Sequence, residues 1–240
     1  MRVGLVGALG VGRQRRVIVA LGVLLLVVVG VLVVTGAAWS SGRLERRCDL
    51  LAEARIARAD IVTGSGDRVL VIGDSWSAGR GLAHPGDSWP SQLAGRVHVD
   101  GFTGSGFSEH ASPCAGRSYA DRVDQALQRT GARPDLVVLE GGLNETDRSA
   151  DAIRSGVRRV LERLEDRGIP ARDIVIVGPV AAPRRAAGVP RVDGILADEA
   201  ARADVLYLSM VNLRLPYLDD RLHPTVEGHR EFGQAVAALL

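Results

Sequence analysis

Lysine is absent from this chain, and aromatic residues and cysteines are few. All 30 cationic side chains are arginines, 28 acidic residues nearly balance them, and the formal net charge is only +2. Proteins that bind nucleic acid concentrate their cations on one surface, often together with aromatic residues that stack on bases. Here the arginines are scattered or lie beside acids, and aromatic residues make up 4% of the chain. The composition therefore argues against a nucleic-acid partner.

The cysteines and histidines do not form the patterns that bind metals. Cys48 and Cys114 lie far apart, without a Cys-x-x-Cys motif, and the five histidines have no metal-ligand spacing. No pair of carboxylates stands out as the acid and base of a glycosidase. We therefore expect neither a metal nor an organic cofactor.

The longest uncharged run lies near the N-terminus. Residues 17–38 are 22 consecutive uncharged residues rich in Val and Leu, and as a helix they would span about 33 Å, enough to cross the hydrocarbon layer. Arg13, Arg15 and Arg16 precede this run, so the positive-inside rule puts residues 1–16 in the cytoplasm. We predict an uncleaved single-pass membrane anchor with the rest of the chain outside the cell membrane. A cleaved signal peptide, which would give a secreted protein, is the alternative.

Export would place both cysteines in an oxidising compartment. A disulfide between Cys48 and Cys114 would attach the segment 39–66 to the domain that follows, and two unpaired thiols are the alternative. Segment 39–66 is charged and amphipathic and ends in the chain breakers of residues 63–67, which predicts a juxtamembrane helix or linker. The globular domain is then expected over residues 67–240.

Short apolar runs alternate with helical patterns along this domain. Runs of four or five apolar residues without polar alternation are typical of parallel strands that are covered on both faces. Alternating strands and helices predict a doubly wound α/β sandwich, whose active site lies at the carboxyl ends of the strands. The predicted strands are Val69–Ile72, Val97–Val99, Leu136–Leu139, Ile174–Val177 and Val205–Leu208, and the predicted helices are Trp89–Ala94, Tyr119–Arg129, Ser149–Arg167, Val192–Arg202 and Thr225–Leu240.

Small and polar residues follow the first three predicted strands. Ser75 comes three residues after the first strand, where its own N–H could help to hold an oxyanion. Gly101 and Gly104 lie in the loop after the second strand, and Asn144 follows the third strand, where its amide could point into the crevice. Each of these features alone is also typical of an ordinary turn.

Asp220 and His223 follow the fifth predicted strand and lie three residues apart. A serine hydroxyl needs a base to become a nucleophile near neutral pH, and histidine is the side chain best suited to that role. An acid three residues before the histidine can bend back to its Nδ1–H and fix its tautomer and orientation. Asp219 is an alternative for this acid. Because Ser75 also follows a strand, it is the candidate nucleophile.

These segments together resemble the four sequence blocks of the GDSL/SGNH hydrolase family. The resemblance covers about residues 69–240 and implies a three-layer αβα, flavodoxin-like sandwich with a five-stranded parallel sheet. It also implies a catalytic triad of Ser75, His223 and Asp220. The matching segments are Gly73-Asp74-Ser75, Gly101 with Gly104, Gly142-x-Asn144 and Asp220-x-x-His223.

The resemblance further implies an oxyanion hole. Its donors would be the N–H of Ser75, the N–H of a glycine in the second block and the side-chain amide of Asn144. Gly101 is preferred over Gly104 as that glycine. Trp76 stands where the family often has Leu or Ile, and the second block lacks the Asn that often leads it.

The predicted function is a membrane-anchored serine esterase that cleaves a short-chain or acetyl ester through an acyl-enzyme. The substrate would be a small-molecule, lipid or glycan ester, whose acyl and alcohol parts the residues do not specify. One alternative is an O-acyltransferase or carbohydrate O-deacetylase that uses the same site on cell-envelope glycans or lipids. Another is a non-catalytic binding domain that has kept the fold. Asp74 is expected to serve the turn rather than catalysis, and His229 on the last helix is expected at the surface.

Overall fold

The computed structural model describes residues 21–22 and 42–240. Residues 1–16, and all but two of residues 17–38, lie outside these ranges, so the membrane anchor and its orientation stay predictions. Within the described ranges, no helix combines the length and the apolar character needed to cross a membrane.

One sheet of five parallel strands underlies the fold. The strands are Arg68–Gly73 (β1), Arg96–Gly101 (β2), Leu136–Glu140 (β3), Ile174–Val177 (β4) and Leu206–Leu208 (β5). Their order across the sheet is β2-β1-β3-β4-β5, which is the flavodoxin-like order. Gly73 at the end of β1 lies opposite Gly101 of β2 on one side and Glu140 of β3 on the other. The predicted α/β fold with five parallel strands is confirmed.

Helices pack on both faces of the sheet, because successive side chains of a strand point to opposite faces. Leu70 and Ile72 of β1 belong to one apolar core, and Val69 and Val71 belong to the other. The helices are residues 42–59 (α1), Tyr119–Arg129 (α2), Ala150–Asp166 (α3), Val189–Arg202 (α4) and Val226–Ala237 (α5). The first core includes residues of α2, α3 and α4, and the second includes residues of α5 and of the short 3-10 helix Trp89–Gln92. That 3-10 helix stands where the sequence predicts a helix over Trp89–Ala94.

Residues 48–240 form one compact unit, which includes most of the segment predicted as a linker. Arg55 of α1 is buried, and its Nε donates to both carboxylate oxygens of Asp100 at 2.9 Å. A disulfide joins Cys48 of α1 to Cys114. The compact unit therefore begins before the predicted boundary at residues 63–67, because the helix in front of that boundary supplies a buried cation and a covalent link.

Candidate active site

Ser75 lies in a tight turn directly after β1. A Cβ at Gly73 would lie 2.1 Å from the Oγ of Ser77, so glycine is required where the chain leaves the strand. The turn is closed by hydrogen bonds from Ala78 N to the Asp74 carbonyl (3.0 Å) and from Arg80 N to the Ser75 carbonyl (2.9 Å). Over residues 42–240, the backbone N–H of Ser75 has no hydrogen-bond acceptor. Ser75 thus presents both a hydroxyl and a free donor.

The structure brings Ser75, His223 and Asp220 together in the predicted order. The Nε2 of His223 lies 3.0 Å from the Oγ of Ser75, and its Nδ1 lies 2.5 Å from the Oδ2 of Asp220. The Oδ1 of Asp220 accepts the backbone N–H groups of Leu222 and His223, each at 3.0 Å. Asp220, rather than Asp219, therefore contacts the imidazole.

Hydrogen bonds keep Asp220 ionised. Partial burial tends to raise the pKa of Asp220, but the backbone and ring hydrogen bonds from His223 and the Leu222 N–H outweigh it and lower this pKa to about 2. A carboxylate in this position stabilises the imidazolium that forms when the histidine takes a proton. The loop is also anchored at its end, since the Oγ1 of Thr225 accepts the N–H of Gly228 and begins α5.

Trp76 stands where the family often has Leu or Ile, and it makes a hydrogen bond that those residues cannot make. The side chain is buried, and its indole Nε1 donates to the carbonyl oxygen of Leu222 at 3.1 Å. This bond joins the turn that carries Ser75 to the loop that carries His223. A Leu or Ile at this position has no donor for that carbonyl.

Gly101 has a packing role at the end of β2. A Cβ there would lie 2.4 Å from Ala78 N, in the turn after β1. Val97 exchanges both of its backbone hydrogen bonds with Thr63, on the edge away from β1, and N–H groups alternate in direction along a strand. The N–H of Gly101, four residues on, points to the same outer edge. This direction does not suit the role of oxyanion donor for which Gly101 is preferred in the sequence.

Gly104 suits the role of oxyanion donor better than Gly101 does. Its φ is +81°, a conformation that favours glycine, and the Ser105 N donates to the Phe102 carbonyl at 3.1 Å to close the turn around it. The space beside its Cα is open. In the described part of the chain its N–H has no acceptor, so Gly104 is the second-block glycine with an available donor.

Asn144 bridges the loops that follow β1 and β2. It lies in the 3-10 turn Leu143–Glu145, directly after β3. Its Nδ2 donates to the Ser105 carbonyl at 2.8 Å and to the Oδ2 of Asp74 at 3.1 Å. The amide therefore lies next to the Ser75 turn, as the sequence predicts, but both of its hydrogens have acceptors.

Three buried acids lie around these loops, and two of them were not identified from the sequence. Burial raises the pKa of Asp74 to about 7, against the lowering effect of the Trp76 N–H and the Arg122 cation. Burial, and then the nearby Asp74 charge, raise the pKa of Glu140 well above its usual range, while burial raises that of Glu145 to about 8. At neutral pH Glu145 therefore holds its proton. The only sequence signal for Glu140 is an acid at the end of an apolar strand.

Arg122 of α2 is a buried cation that sequence analysis also missed. It donates to the Gly73 carbonyl at 2.9 Å, to the Ser105 Oγ at 3.0 Å and to the Asp100 carbonyl at 2.7 Å. Its guanidinium also pairs with the carboxylate of Asp100, which Arg55 shares. Arg122 thus links the end of β1 to β2 and to the loop that follows β2.

The prediction that His229 lies at the surface is wrong. His229 is fully buried, its Nδ1 accepts the N–H of Trp89 at 3.3 Å, and its ring packs against Trp76. It belongs to the inner face of α5, because Phe232 and Val236 follow at helical spacing and are also buried. Burial lowers the pKa of His229 to about 4, so it is neutral near pH 7.

Comparison with known proteins places this arrangement in a family. The sequence profile described as the GDSL-like Lipase/Acylhydrolase family matches residues 71–231. No curated protein is similar enough in sequence to count as a match. The solved structure of AlinE4, an SGNH-hydrolase family esterase, is 26% identical with a TM-score of 0.52, and the alignment covers 74% of this chain and 96% of that one.

Two solved structures from Sinorhizobium meliloti share the fold at lower identity. A carbohydrate acetylesterase family member is 23% identical with a TM-score of 0.57, over 72% of this chain and 97% of its own. Est24, a carbohydrate acetylesterase, is 18% identical with a TM-score of 0.58, and the alignment covers 72% of this chain and 98% of that one. The family profile covers most of the globular unit described above. This chain therefore belongs to the GDSL-like lipase/acylhydrolase family and is a hydrolase that acts on esters.

Proposed function

We propose that the protein hydrolyses an acetyl or short-chain ester through an acyl-enzyme formed on Ser75. The continuous contact from Ser75 Oγ to His223 Nε2 (3.0 Å), and from His223 Nδ1 to Asp220 Oδ2 (2.5 Å), carries this proposal. A hydroxyl that contacts an imidazole, which a carboxylate in turn orients, is the arrangement that activates serine as a nucleophile.

The reaction divides into two acyl transfers. His223 takes the proton of the Ser75 hydroxyl while Oγ attacks the ester carbonyl carbon, and the imidazolium then gives that proton to the departing alcohol. Water next attacks the acyl-enzyme with His223 as base, the bond from the acyl carbon to Oγ breaks, and the proton returns to Ser75. Asp220 stays ionised throughout and stabilises the imidazolium.

The oxyanion of each tetrahedral intermediate would be bound by the N–H groups of Ser75 and Gly104 and by the Asn144 amide. The first two donors are without another acceptor in the described residues, and the outward direction of the Gly101 N–H favours Gly104. Losing one such donor typically lowers kcat about 10²- to 10³-fold.

The substitution Ser75→Ala tests the nucleophile. With p-nitrophenyl acetate as substrate, we expect turnover to fall by at least about 10³-fold. Ser91→Ala is the matched control and should keep its activity, because Ser91 is a half-buried serine whose Oγ accepts the side-chain amide of Gln92. Full activity of Ser75→Ala would exclude the proposed mechanism.

Carbohydrate O-deacetylation or acyl transfer is the second candidate for the same site. The two carbohydrate acetylesterases that share the fold favour deacetylation. Turnover of an acetylated oligosaccharide should then exceed that of p-nitrophenyl acetate at equal concentration. Addition of an acceptor alcohol would separate the two chemistries, since a transferase forms the new ester whereas a hydrolase releases free acetate.

We also propose that the enzyme is anchored to the membrane by residues 17–38 and faces outward. The apolar run and the disulfide between Cys48 and Cys114 support this location, since disulfides persist in oxidising compartments. Fractionation of cells that express the full chain should find activity in the membrane pellet. Removal of residues 1–40 should release it, whereas activity of the full chain in the medium would indicate cleavage and secretion.

A further inference from the structure

We propose that Asp74 is a positioning residue that holds the side-chain amide of Asn144 in place for the oxyanion. This inference rests on the proposed function, because it assigns a partner to one of the three oxyanion donors.

Both carboxylate oxygens of Asp74 accept N–H donors from different segments. The Oδ1 accepts the backbone N–H of Trp76 at 2.9 Å, within the Ser75 turn, and the Oδ2 accepts the Nδ2 of Asn144 at 3.1 Å. Asp74 is almost completely buried, so water does not compete for these bonds. The carboxylate therefore sets the distance between the nucleophile turn and the Asn144 amide.

Two acceptors together fix the plane of the Asn144 amide. The Ser105 carbonyl takes one hydrogen at 2.8 Å and Asp74 takes the other at 3.1 Å. With one acceptor alone the amide could rotate about its terminal bond, which has a broad torsional minimum. The longer bond to Asp74 leaves its hydrogen able to enter a three-centre bond, so that the amide donates to the oxyanion while Asp74 keeps its orientation.

The charged and titratable groups that face Asp74 set when it is ionised. Arg122 of α2 favours the carboxylate, whereas burial opposes it. Three titratable groups also face Asp74: Glu140 at the end of β3, Glu145 in the turn after β3, and Tyr119 of α2. Burial raises the pKa of Asp74 to about 7, and it also raises the pKa values of Glu140 and Glu145. The carboxylate, which is the better acceptor, therefore forms within the range of ordinary assays.

Asparagine cannot reproduce these contacts. Its side chain has a single oxygen, so its NH₂ group would face either the Trp76 N–H or the Asn144 amide, both of which are donors. Asp74→Asn thus removes one contact at nearly constant volume, and Asp74→Ala removes both.

A double-mutant cycle with Asp74→Ala and Asn144→Ala in the full chain tests the inference. At pH 8, with p-nitrophenyl acetate, Asn144→Ala should lower kcat about 10²- to 10³-fold, and Asp74→Ala should lower it about 10-fold or more but no further than Asn144→Ala; both should change KM less. The double variant should lie within about 3-fold of Asn144→Ala alone, because Asp74 acts through that amide. If the losses of kcat in the two single variants multiply in the double variant, the inference is overturned. A rise in kcat in Asp74→Ala would also overturn it, because Asp74 would then compete with the oxyanion for the Asn144 amide.

Two further variants separate positioning from folding. Glu109→Gln removes the charge of an exposed acid that pairs with Arg159 and takes no part in the contacts of Asp74 or Asn144; it should keep kcat within about 3-fold. If Asp74→Ala does not fold, Asp74→Asn takes its place in the same cycle. The kcat–pH profile gives a second readout, since the fall in kcat below pH 7 should be smaller in Asn144→Ala than in the parent.

The cycle distinguishes this inference from the function on which it rests. If Ser75→Ala is inactive but the losses at Asp74 and Asn144 multiply, only the positioning role fails. If Ser75→Ala stays active, the proposed function fails whatever the cycle shows.

Discussion

The Nε2 of His223 lies 3.0 Å from the Oγ of Ser75, although 148 positions separate the two residues in the sequence. Parallel strands produce this contact, because they bring the turn after β1 and the loop before α5 to the same end of the sheet. Further hydrogen bonds hold the two segments together, among them the bond from the Trp76 indole to the Leu222 carbonyl at 3.1 Å. The geometry leads to four further predictions.

Asp220→Asn should lower kcat by about 10³-fold or more, because an amide cannot stabilise the imidazolium and favours the wrong tautomer. Asp219→Asn changes the neighbouring acid, which does not contact His223, and should keep kcat near the parent value. Steady-state kinetics with p-nitrophenyl acetate measures both variants. A larger loss of kcat in Asp219→Asn than in Asp220→Asn would contradict the prediction and assign the orienting role to Asp219.

Alanine at Gly104 and at Gly101 should have different effects. Gly104→Ala strains a residue at φ +81° and moves its free N–H, so kcat should fall about 10-fold or more. Gly101→Ala would press a Cβ against Ala78 N and should lower the melting temperature. Kinetics and thermal unfolding on both variants check this. A stable Gly101→Ala enzyme with a specific loss of kcat would restore Gly101 as the oxyanion donor.

Buried His229 should make the fold less stable in acid. Its pKa is about 4 in the folded chain and about 6.5 in an unfolded one. Between these values the unfolded state binds more protons, so the free energy of unfolding falls as pH drops from 6.5 towards 4, by up to about 3 kcal/mol. Urea unfolding at several pH values measures this slope.

His229→Gln should reduce that slope, whereas His110→Gln, at an exposed position, should leave it unchanged. Equal slopes in the parent and in His229→Gln would show that His229 does not contribute to the acid sensitivity.

Loss of the disulfide between Cys48 and Cys114 should destabilise the compact unit. The two cysteines are 66 residues apart, and a closed loop of that length stabilises a fold by about 4 kcal/mol on chain-entropy grounds. Urea unfolding with and without a reductant measures the difference. The double variant Cys48→Ser/Cys114→Ser serves as control, because reductant should not affect it; equal stability of parent and double variant would contradict the prediction.

The sequence by itself determined the fold class and the candidate nucleophile, because both depend on local patterns. Uninterrupted apolar runs indicate strands covered on both faces, and helix periodicity placed α2 at Tyr119–Arg129, as observed. Asp220 and His223 are three residues apart, so a single loop brings them into contact. These features need no knowledge of which helix meets which strand.

The tertiary structure alone decided burial and the direction of backbone donors. Arg122 and His229 belong to types that are often exposed, and only the packing of α2 and α5 on the sheet buries them. Pairing of β2 with β1 and with Thr63 directs the Gly101 N–H outward. The raised pKa of Asp74 likewise arises because the packing of separate elements buries this carboxyl. Such effects depend on contacts between distant segments, which no local pattern encodes.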